Sequence, residues 1–256
     1  MHSKRAILPA LILGLASAHS AHAITSMEDL HTGSPQEGFS GNVVLSMSNA
    51  SGNVDKEDYS LGSRLQWHQN ITTNYLLASG AYGKVDGVKN TEKTFLHARH
   101  IRQFLPHTAA EGYIQQETNE FARLDYRRLY GAGLRFSVYE QDNKGNIYLG
   151  LGAYYSQLKI SDGFPDAGTE NEWRASSYLI LKYQATANTV LASTTYYQPA
   201  IGEWSDYRAL QQAAAQVRLS ERLSLIVTAD YTFNSRPPEG VVKREAIYRT
   251  SLSVEF

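Results

Sequence analysis

The sequence predicts an all-β fold: a single antiparallel transmembrane β-barrel of the outer-membrane type, with about twelve strands and ten as the alternative. Three observations carry this prediction. They are an N-terminal secretory signal, long runs in which apolar and polar residues alternate, and a last run that ends on Phe256. Alternation with period two is typical of a strand with two unlike faces. Runs of about ten residues match the tilted strands that cross a bilayer.

The first segment, residues 1–23, has the three parts of a secretory signal peptide. Lys4 and Arg5 form a positive start, the apolar run at 6–16 follows, and small residues precede a cut after Ala23. The apolar run is too short to cross about 30 Å of hydrocarbon as a helix. We therefore expect export to the envelope of a Gram-negative bacterium.

The chain then divides into two further parts. With cleavage after Ala23 (Ala18 is the second choice), residues 24–37 form a short periplasmic segment and 38–256 form the barrel. The absence of cysteine excludes disulfides and thiol catalysis, and a net charge of −1 disfavours nucleic acid as a partner.

Runs between turn residues give the twelve predicted strands. They lie at 38–49, 58–69, 73–84, 92–104, 109–118, 124–139, 146–159, 172–184, 189–198, 206–219, 222–234 and 245–256. The clearest alternation is in 222–234, where Leu223 and Leu225 flank Ser224, and Val227 and Ala229 flank Thr228. For the third, fourth and ninth strands the sequence does not show which side points inward, because both sides carry comparable apolar content.

The gaps between strands are unequal on the two sides of the predicted barrel. Short gaps lie at 70–72, 105–108, 185–188 and 220–221; longer ones lie at 50–57, 85–91, 161–171, 199–205 and 235–244. Outer-membrane barrels place short turns in the periplasm and longer loops outside. Both termini are thus expected on the periplasmic side.

A secreted β-sandwich or soluble barrel is the alternative architecture, with the apolar face turned inward. The positions of the large aromatic residues favour the membrane, because Tyr and Trp near strand ends anchor at lipid interfaces. These residues are Trp67, Tyr155, Trp173, Tyr183, Tyr231, Phe233 and Tyr248. The last strand resembles an outer-membrane assembly signal, carried by Tyr248, Leu252, Val254 and Phe256.

The polar face of the strands predicts a charged lumen. The candidate lumen charges are Arg64, Arg127, Arg135, Arg174, Lys182, Arg208, Arg218, Arg249, Glu111, Glu117, Asp230 and Glu245, and Glu255 shares their face. Inward glycines at 131, 133, 150 and 152 predict a groove that admits large residues such as Tyr148 and Tyr154. These charges could line a solute path or form a plug of mutual ion pairs.

The histidines argue against a barrel enzyme. No histidine after residue 23 has a serine two positions later, as a histidine base and serine nucleophile on one strand face would require. His97 and His100 differ by an odd number of residues, so they face opposite sides of a strand. We expect no catalytic, metal or cofactor site.

The order of several local motifs resembles the YdiY-like family of salt-induced outer-membrane proteins, a domain of unknown function. The motifs are residues 121–128 leading into Gly131-Ala132-Gly133, the glycines of 148–154, residues 196–199, and the Pro237-Pro238-Glu239-Gly240 loop before the last strand. The resemblance implies an outer-membrane barrel and supplies no catalytic residues.

The predicted function is passive: a narrow channel or an envelope-integrity barrel, with a link to salt or osmotic stress implied only by the resemblance. The alternative is a barrel enzyme acting on lipid or peptide at the cell surface. The expected partners are outer-membrane lipid and, during biogenesis, periplasmic chaperones and the barrel-assembly machinery.

Overall fold

The computed structural model describes residues 32, 35–52 and 54–256 of the chain. The predicted signal peptide, its cleavage after Ala23 and most of segment 24–37 lie outside these residues. Among the described residues, no helix has the length and apolarity to cross a membrane.

Twelve antiparallel strands close into one barrel, as the sequence predicts. They are β1 (Gly38–Ala50), β2 (Lys56–Gln69), β3 (Thr72–Val85), β4 (Val88–Leu105), β5 (Thr108–Asn119), β6 (Leu124–Gln141), β7 (Gly145–Ile160), β8 (Gly168–Thr186), β9 (Thr189–Ala200), β10 (Glu203–Arg218), β11 (Leu223–Asn234) and β12 (Arg244–Glu255). Each strand pairs with its neighbours in the chain, and β12 pairs with β1 to complete the circle. We call the end that holds Gly38 and Phe256 the termini end and the other the loop end.

The three strands that sequence left unfaced have defined faces in the barrel. On β3, Leu77 is buried inward while Leu76 is 43% exposed on the outside. On β4, His97 and Arg99 point into the lumen, and on β9 Tyr196 does so. Apolar content alone could not decide these faces because the lumen of this barrel itself buries leucine, isoleucine and tyrosine.

Aromatic side chains ring the outside of the barrel near the loop end. The Tyr155 and Trp173 ring centroids are 5.5 Å apart. The centroid of the Tyr207 ring lies 5.4 Å from that of Tyr197 and 5.1 Å from that of Phe233. Such a girdle marks the level at which an outward apolar band meets the headgroup region.

Two of the predicted long loops are wrong. The gaps at 85–91 and 199–205 shrink to two-residue turns at 86–87 and 201–202, because the flanking strands extend further than their alternation indicated. Asp86 (φ 50°) and Gly87 (φ 77°) both take the left-handed conformation that a tight hairpin needs. Gly202 (φ 98°) supplies the same freedom in the second turn.

The longer loops meet across the mouth at the loop end. The Arg123 guanidinium, between β5 and β6, stacks on the Phe164 ring at 3.9 Å and donates to the Glu239 carbonyl. The Glu239 amide in turn donates to Asp166 at 2.6 Å. Since the loops after β5 and β11 leave opposite walls of the barrel, these contacts bridge the mouth.

The seam between β1 and β12 is the shortest in the barrel. Only four residue pairs join these strands, from Asn42↔Glu255 to Leu45↔Leu252, whereas β7 and β8 pair along the whole length of Gly145–Ile160. Backbone hydrogen bonds between Gly41 and Phe256, at 2.9 and 3.0 Å, extend the seam to the termini end. Towards the loop end, β1 and β12 separate.

Candidate functional site in the barrel lumen

The lumen is filled on one side only. We call the inward faces of β4–β9 the tyrosine half, and those of β1–β3 and β10–β12 the open half. The tyrosine half buries a continuous cluster that Leu210 of β10 completes. Its members are Tyr113, Leu129, Tyr148, Tyr154, Tyr178, Ile180 and Tyr196.

Glycines on neighbouring strands create the space for these rings. Gly131 pairs with Tyr113 and Gly150 pairs with Tyr178, and a Cβ at either glycine would run into the partner's ring. The predicted glycine groove is therefore real, but Tyr113 and Tyr178 occupy these positions across the strand rather than Tyr148 and Tyr154 along it. A ring lies flat over a residue without a side chain because nothing else fills that space.

A hydrogen-bonded centre holds the middle of the tyrosine half. The Tyr178 hydroxyl donates to Glu111 Oε2 at 2.9 Å, and Arg99 Nη1 lies 3.6 Å from the same oxygen. The Arg99 guanidinium also stands over the rings of Tyr113 and Tyr178, at 5.3 and 5.8 Å. His97 Nδ1 forms a hydrogen bond with Gln115 Oε1 at 3.1 Å, and Arg99 Nε donates a hydrogen bond to His97 Nε2 at 3.3 Å.

Nearer the loop end lies a group of three buried arginines, Arg127, Arg174 and Arg208, which we call the arginine cluster. Arg174 donates to Glu172 at 2.6 Å and to Asp206 at 2.7 Å. The other two members each have one carboxylate. Arg127 Nε lies 2.5 Å from Glu117 Oε1, and Arg208 Nη2 lies 3.4 Å from Glu172 Oε1.

At the termini end, Tyr148 organises a further tier of the tyrosine half. The Arg135 guanidinium lies 4.0 Å, and the Lys182 ammonium 5.9 Å, from the centroid of the Tyr148 ring. The Tyr148 hydroxyl donates to Glu140 at 2.8 Å and accepts from Asn146 at 2.8 Å. Three tiers of polar and aromatic contacts thus fill this half from end to end.

A cavity of about 550 Å³ lies mainly in the open half, and the loop-end residues of β4 and β5 also line it. Its lining runs from Gln36, Glu221 and Phe256 at the termini end to Asn119 and Thr232 close to the loop end. The cavity therefore extends along most of the barrel. Small inward side chains account for the space, among them Ser40, Ser60, Ser79, Ala81, Ala214 and Ser251.

A few paired charges stand in the wall of the cavity. Asp230 Oδ2 is 2.5 Å from Arg249 Nη1, and Asp230 Oδ1 accepts from Gln212 at 2.7 Å. Arg64 donates to Gln66 at 3.0 Å. Lys93, from the opposite wall, also lines the cavity. The wall of the cavity is thus polar and mixed in charge.

The candidate lumen charges fall into three groups. Eight are buried on the inward face: Arg64, Arg127, Arg135, Arg174, Arg208, Glu111, Glu117 and Asp230. Lys182, Arg249 and Glu245 are half-buried, as is Glu255. Arg218 is exposed at the termini end of β10.

Sequence reasoning missed several charged residues of the lumen. Glu172 and Asp206 stand two residues before Arg174 and Arg208, so their parity alone would have placed them on the inward face. His97, Arg99 and Lys93 were missed because β4 could not be faced. The Arg99 site is built with Glu111 of β5, and such a cross-strand pair is invisible without the register.

Three of the predicted assembly residues lie on the outer face of β12, and Phe256 follows its last residue. Tyr248 is 80% exposed, and Leu252, Val254 and Phe256 are about half exposed, at 48%, 50% and 59%. The Phe256 ring lies 6.4 Å from that of Phe39 at the closing seam. Recognition of these residues during assembly stays a prediction.

The histidines are dispersed. His100 faces outward and is bonded to Asn74 at 2.8 Å, and His68 is bonded to Thr73 at 2.8 Å. Within the part of the chain that the structure describes, no three His, Asp or Glu side chains come together as a metal site.

Comparison with known proteins places the chain among outer-membrane barrels. A model of the family described as protein of unknown function, DUF481, matches residues 43–256, and the resemblance to YdiY-like proteins is consistent with this match. No curated protein matches the chain.

Two solved structures illustrate the likeness. A NanC porin is 8% identical with a TM-score of 0.52, covering 84% of this chain and 98% of the porin. The translocator domain of the autotransporter NalP from Neisseria meningitidis is 13% identical with a TM-score of 0.52, covering 86% and 88%. At such identities the likeness shows the fold alone.

Proposed function

The chain belongs to the DUF481 family, described as proteins of unknown function, and from this premise we propose that it forms a narrow passive channel in the outer membrane of a Gram-negative bacterium. The termini end faces the periplasm in this proposal, and the loop end faces the outside. The observation that carries it is the cavity of about 550 Å³ running along the open half.

The inward surface of the open half has the chemistry of a solute path. Serine and threonine hydroxyls and a few paired charges can replace part of the hydration shell of a small solute. Asp230 and Arg249 stand side by side in this wall, at 2.5 Å, so neither sign of charge dominates. We expect weak selectivity between small cations and anions from this wall alone.

Two features make the channel narrow. The tyrosine half removes a large part of the bore, and a twelve-strand wall already encloses less than the 16–18 strands of a wide porin. At the loop end, the contact between Arg123 and Glu239 bridges the mouth. Solutes would therefore enter beside this bridge, above β3 and β4.

The proposed link to salt or osmotic stress and the proposed assembly partners do not depend on the cavity. The stress role is supported by the family resemblance only. Outer-membrane lipid is the expected surrounding of the girdle formed by Tyr155, Trp173, Tyr197, Tyr207 and Phe233. The barrel-assembly machinery and periplasmic chaperones are the expected partners of the last strand and of the exported chain.

Planar-bilayer conductance of the refolded protein tests the channel. We expect small, voltage-independent steps that scale with salt concentration. Complete absence of steps at any voltage would overturn the channel and leave an envelope-integrity barrel. Release of fatty acid from lipid vesicles, or cleavage of added peptides, would instead favour the barrel enzyme.

A further inference from the structure

The arginine cluster carries buried N–H groups for which the described part of the chain supplies no acceptor. Arg208 is 5% exposed, yet its Nε and Nη1 have no hydrogen-bond partner among the described residues. Its Nη2 has only the long contact of 3.4 Å to Glu172. Arg127 is 1% exposed, and its Nη2 is likewise without a partner in the described chain.

These donors come from distant strands and meet in one place. Arg208 on β10 pairs in register with Gln198 on β9, whose Nε2 is also buried without a partner in the described structure. The Gln198 oxygens are already used, because Oε1 accepts from Tyr154 at 3.1 Å and the carbonyl accepts from Arg174 at 3.1 Å. Arg174 and Arg208 both approach Glu172 Oε1, at 2.6 and 3.4 Å, whereas Arg127 enters from β6, four strands away from β10.

The donors of the arginine cluster therefore fit a group that accepts several hydrogen bonds at once. A buried guanidinium N–H group that lacks an acceptor is energetically costly. The planar fork of arginine fits the paired oxygens of a carboxylate, phosphate or sulfate. Arg208, with the weakest carboxylate contact of the three, is the member with most to gain.

Residues next to the arginine cluster line the cavity. Leu210 lines the cavity and stands two residues from Arg208 on the same inward face of β10. Glu117, which holds Arg127, and Thr232, which pairs with Leu210, line the cavity as well. The arginine cluster thus adjoins the loop-end part of the cavity through these three residues and does not line it itself.

We propose that Arg208, assisted by Arg127 and Gln198, is an oxyanion-binding site in the lumen that recognises the carboxylate, phosphate or sulfate group of an anionic solute. The site names the solute class of the channel and so rests on the proposed function. Three carboxylates, Glu117, Glu172 and Asp206, offset the charge of the three arginines. A bound oxyanion would then be held weakly enough to be released again.

Equilibrium dialysis of radiolabelled inorganic sulfate against the refolded barrel in zwitterionic micelles tests the site without requiring conductance. We expect one saturable site in the unaltered protein. Arg208→Gln should weaken sulfate binding by about tenfold or more, since it removes the charge and the fork together. Arg218→Gln is the matched control: it removes the same charge from the same strand at the exposed termini end, and binding should not change.

Slower migration of boiled than of unboiled protein, or the reverse, verifies that each variant forms a barrel. If Arg208→Gln does not fold, Arg208→Lys keeps the charge and loses the fork, and we expect weaker binding from it too. No saturable sulfate binding by the unaltered protein, or equal binding by the Arg208 variants, would overturn the site. Saturable binding without conductance would refute the channel and leave the site standing; conductance without binding would do the opposite.

Discussion

The two halves of the lumen are built on the same wall and differ in what fills them. In the tyrosine half, Tyr178 lies over Gly150 and is bonded to Glu111; in the open half, Ser60 and Ser251 leave the cavity unfilled. Strand number fixes the diameter of a barrel. The difference teaches that the usable bore depends on the volume of the inward side chains and is not the same all round. We therefore assign rigidity to one half and passage to the other.

The largest expected effect separates the halves by stability. Tyr178→Ala removes a ring from the buried cluster together with the donor to Glu111, and should lower the free energy of unfolding by about 3–5 kcal/mol. Ser251→Ala in the open half should stay within about 0.5 kcal/mol. Urea unfolding of the refolded barrel in lipid vesicles measures both. Similar losses in the two variants would break the division of roles.

A pair of glycine substitutions tests the ring-over-glycine packing. Gly150→Ala places a methyl group where the Tyr178 ring lies and should cost about 1–3 kcal/mol, because the ring must move. Gly80→Ala is the control, since its nearest neighbour is the Lys93 carbonyl oxygen at 3.9 Å. The same unfolding experiment checks the pair, and an unaffected Gly150→Ala protein would show that the ring is not held there.

Hydrogen exchange compares the seams of the two halves. The seam between β1 and β12 has four residue pairs. From residue 244 to 251, the β12 backbone pairs with β11 and has no paired residue on β1. Amides of 244–250 should therefore exchange about tenfold faster than those of β7, equivalent to about 1.4 kcal/mol in opening free energy. Mass spectrometry of exchanged peptides measures the difference. Equal protection would mean that the seam is closed along its full length.

The smallest expected effect is on ion selectivity. Asp230→Asn removes a negative charge from the wall of the open half, leaves Arg249 without its partner, and should move the reversal potential in a salt gradient towards anion preference. Glu111→Gln makes the same change in charge within the tyrosine half, away from the cavity, and should leave the reversal potential where it is. A larger shift of the reversal potential in Glu111→Gln than in Asp230→Asn would place the solute path in the tyrosine half.

How far the sequence predicts this molecule depends on the kind of contact. The twelve strands could be predicted because each inward and outward face repeats every second residue, as between the outward Val227 and the inward Thr228. The tight turns at 86–87 and 201–202 could not, because Gly and Asp favour both short turns and long loops. The individual inward charges could be predicted from parity, but their division into a filled and an open half could not. That division depends on register, which brings Gly150 beside Tyr178 and Gln198 beside Arg208.

The central claim, that solutes pass through the open half, can be tested directly because the chain has no cysteine. Single cysteines at Ser60 and Ser251 would line the cavity, whereas one at Ser156, which is 0% exposed, would lie in the tyrosine half. A cationic thiol reagent added during planar-bilayer recording should reduce the conductance of the Ser60→Cys and Ser251→Cys channels and leave Ser156→Cys unchanged. Loss of conductance in Ser156→Cys with no change in the other two would contradict the account.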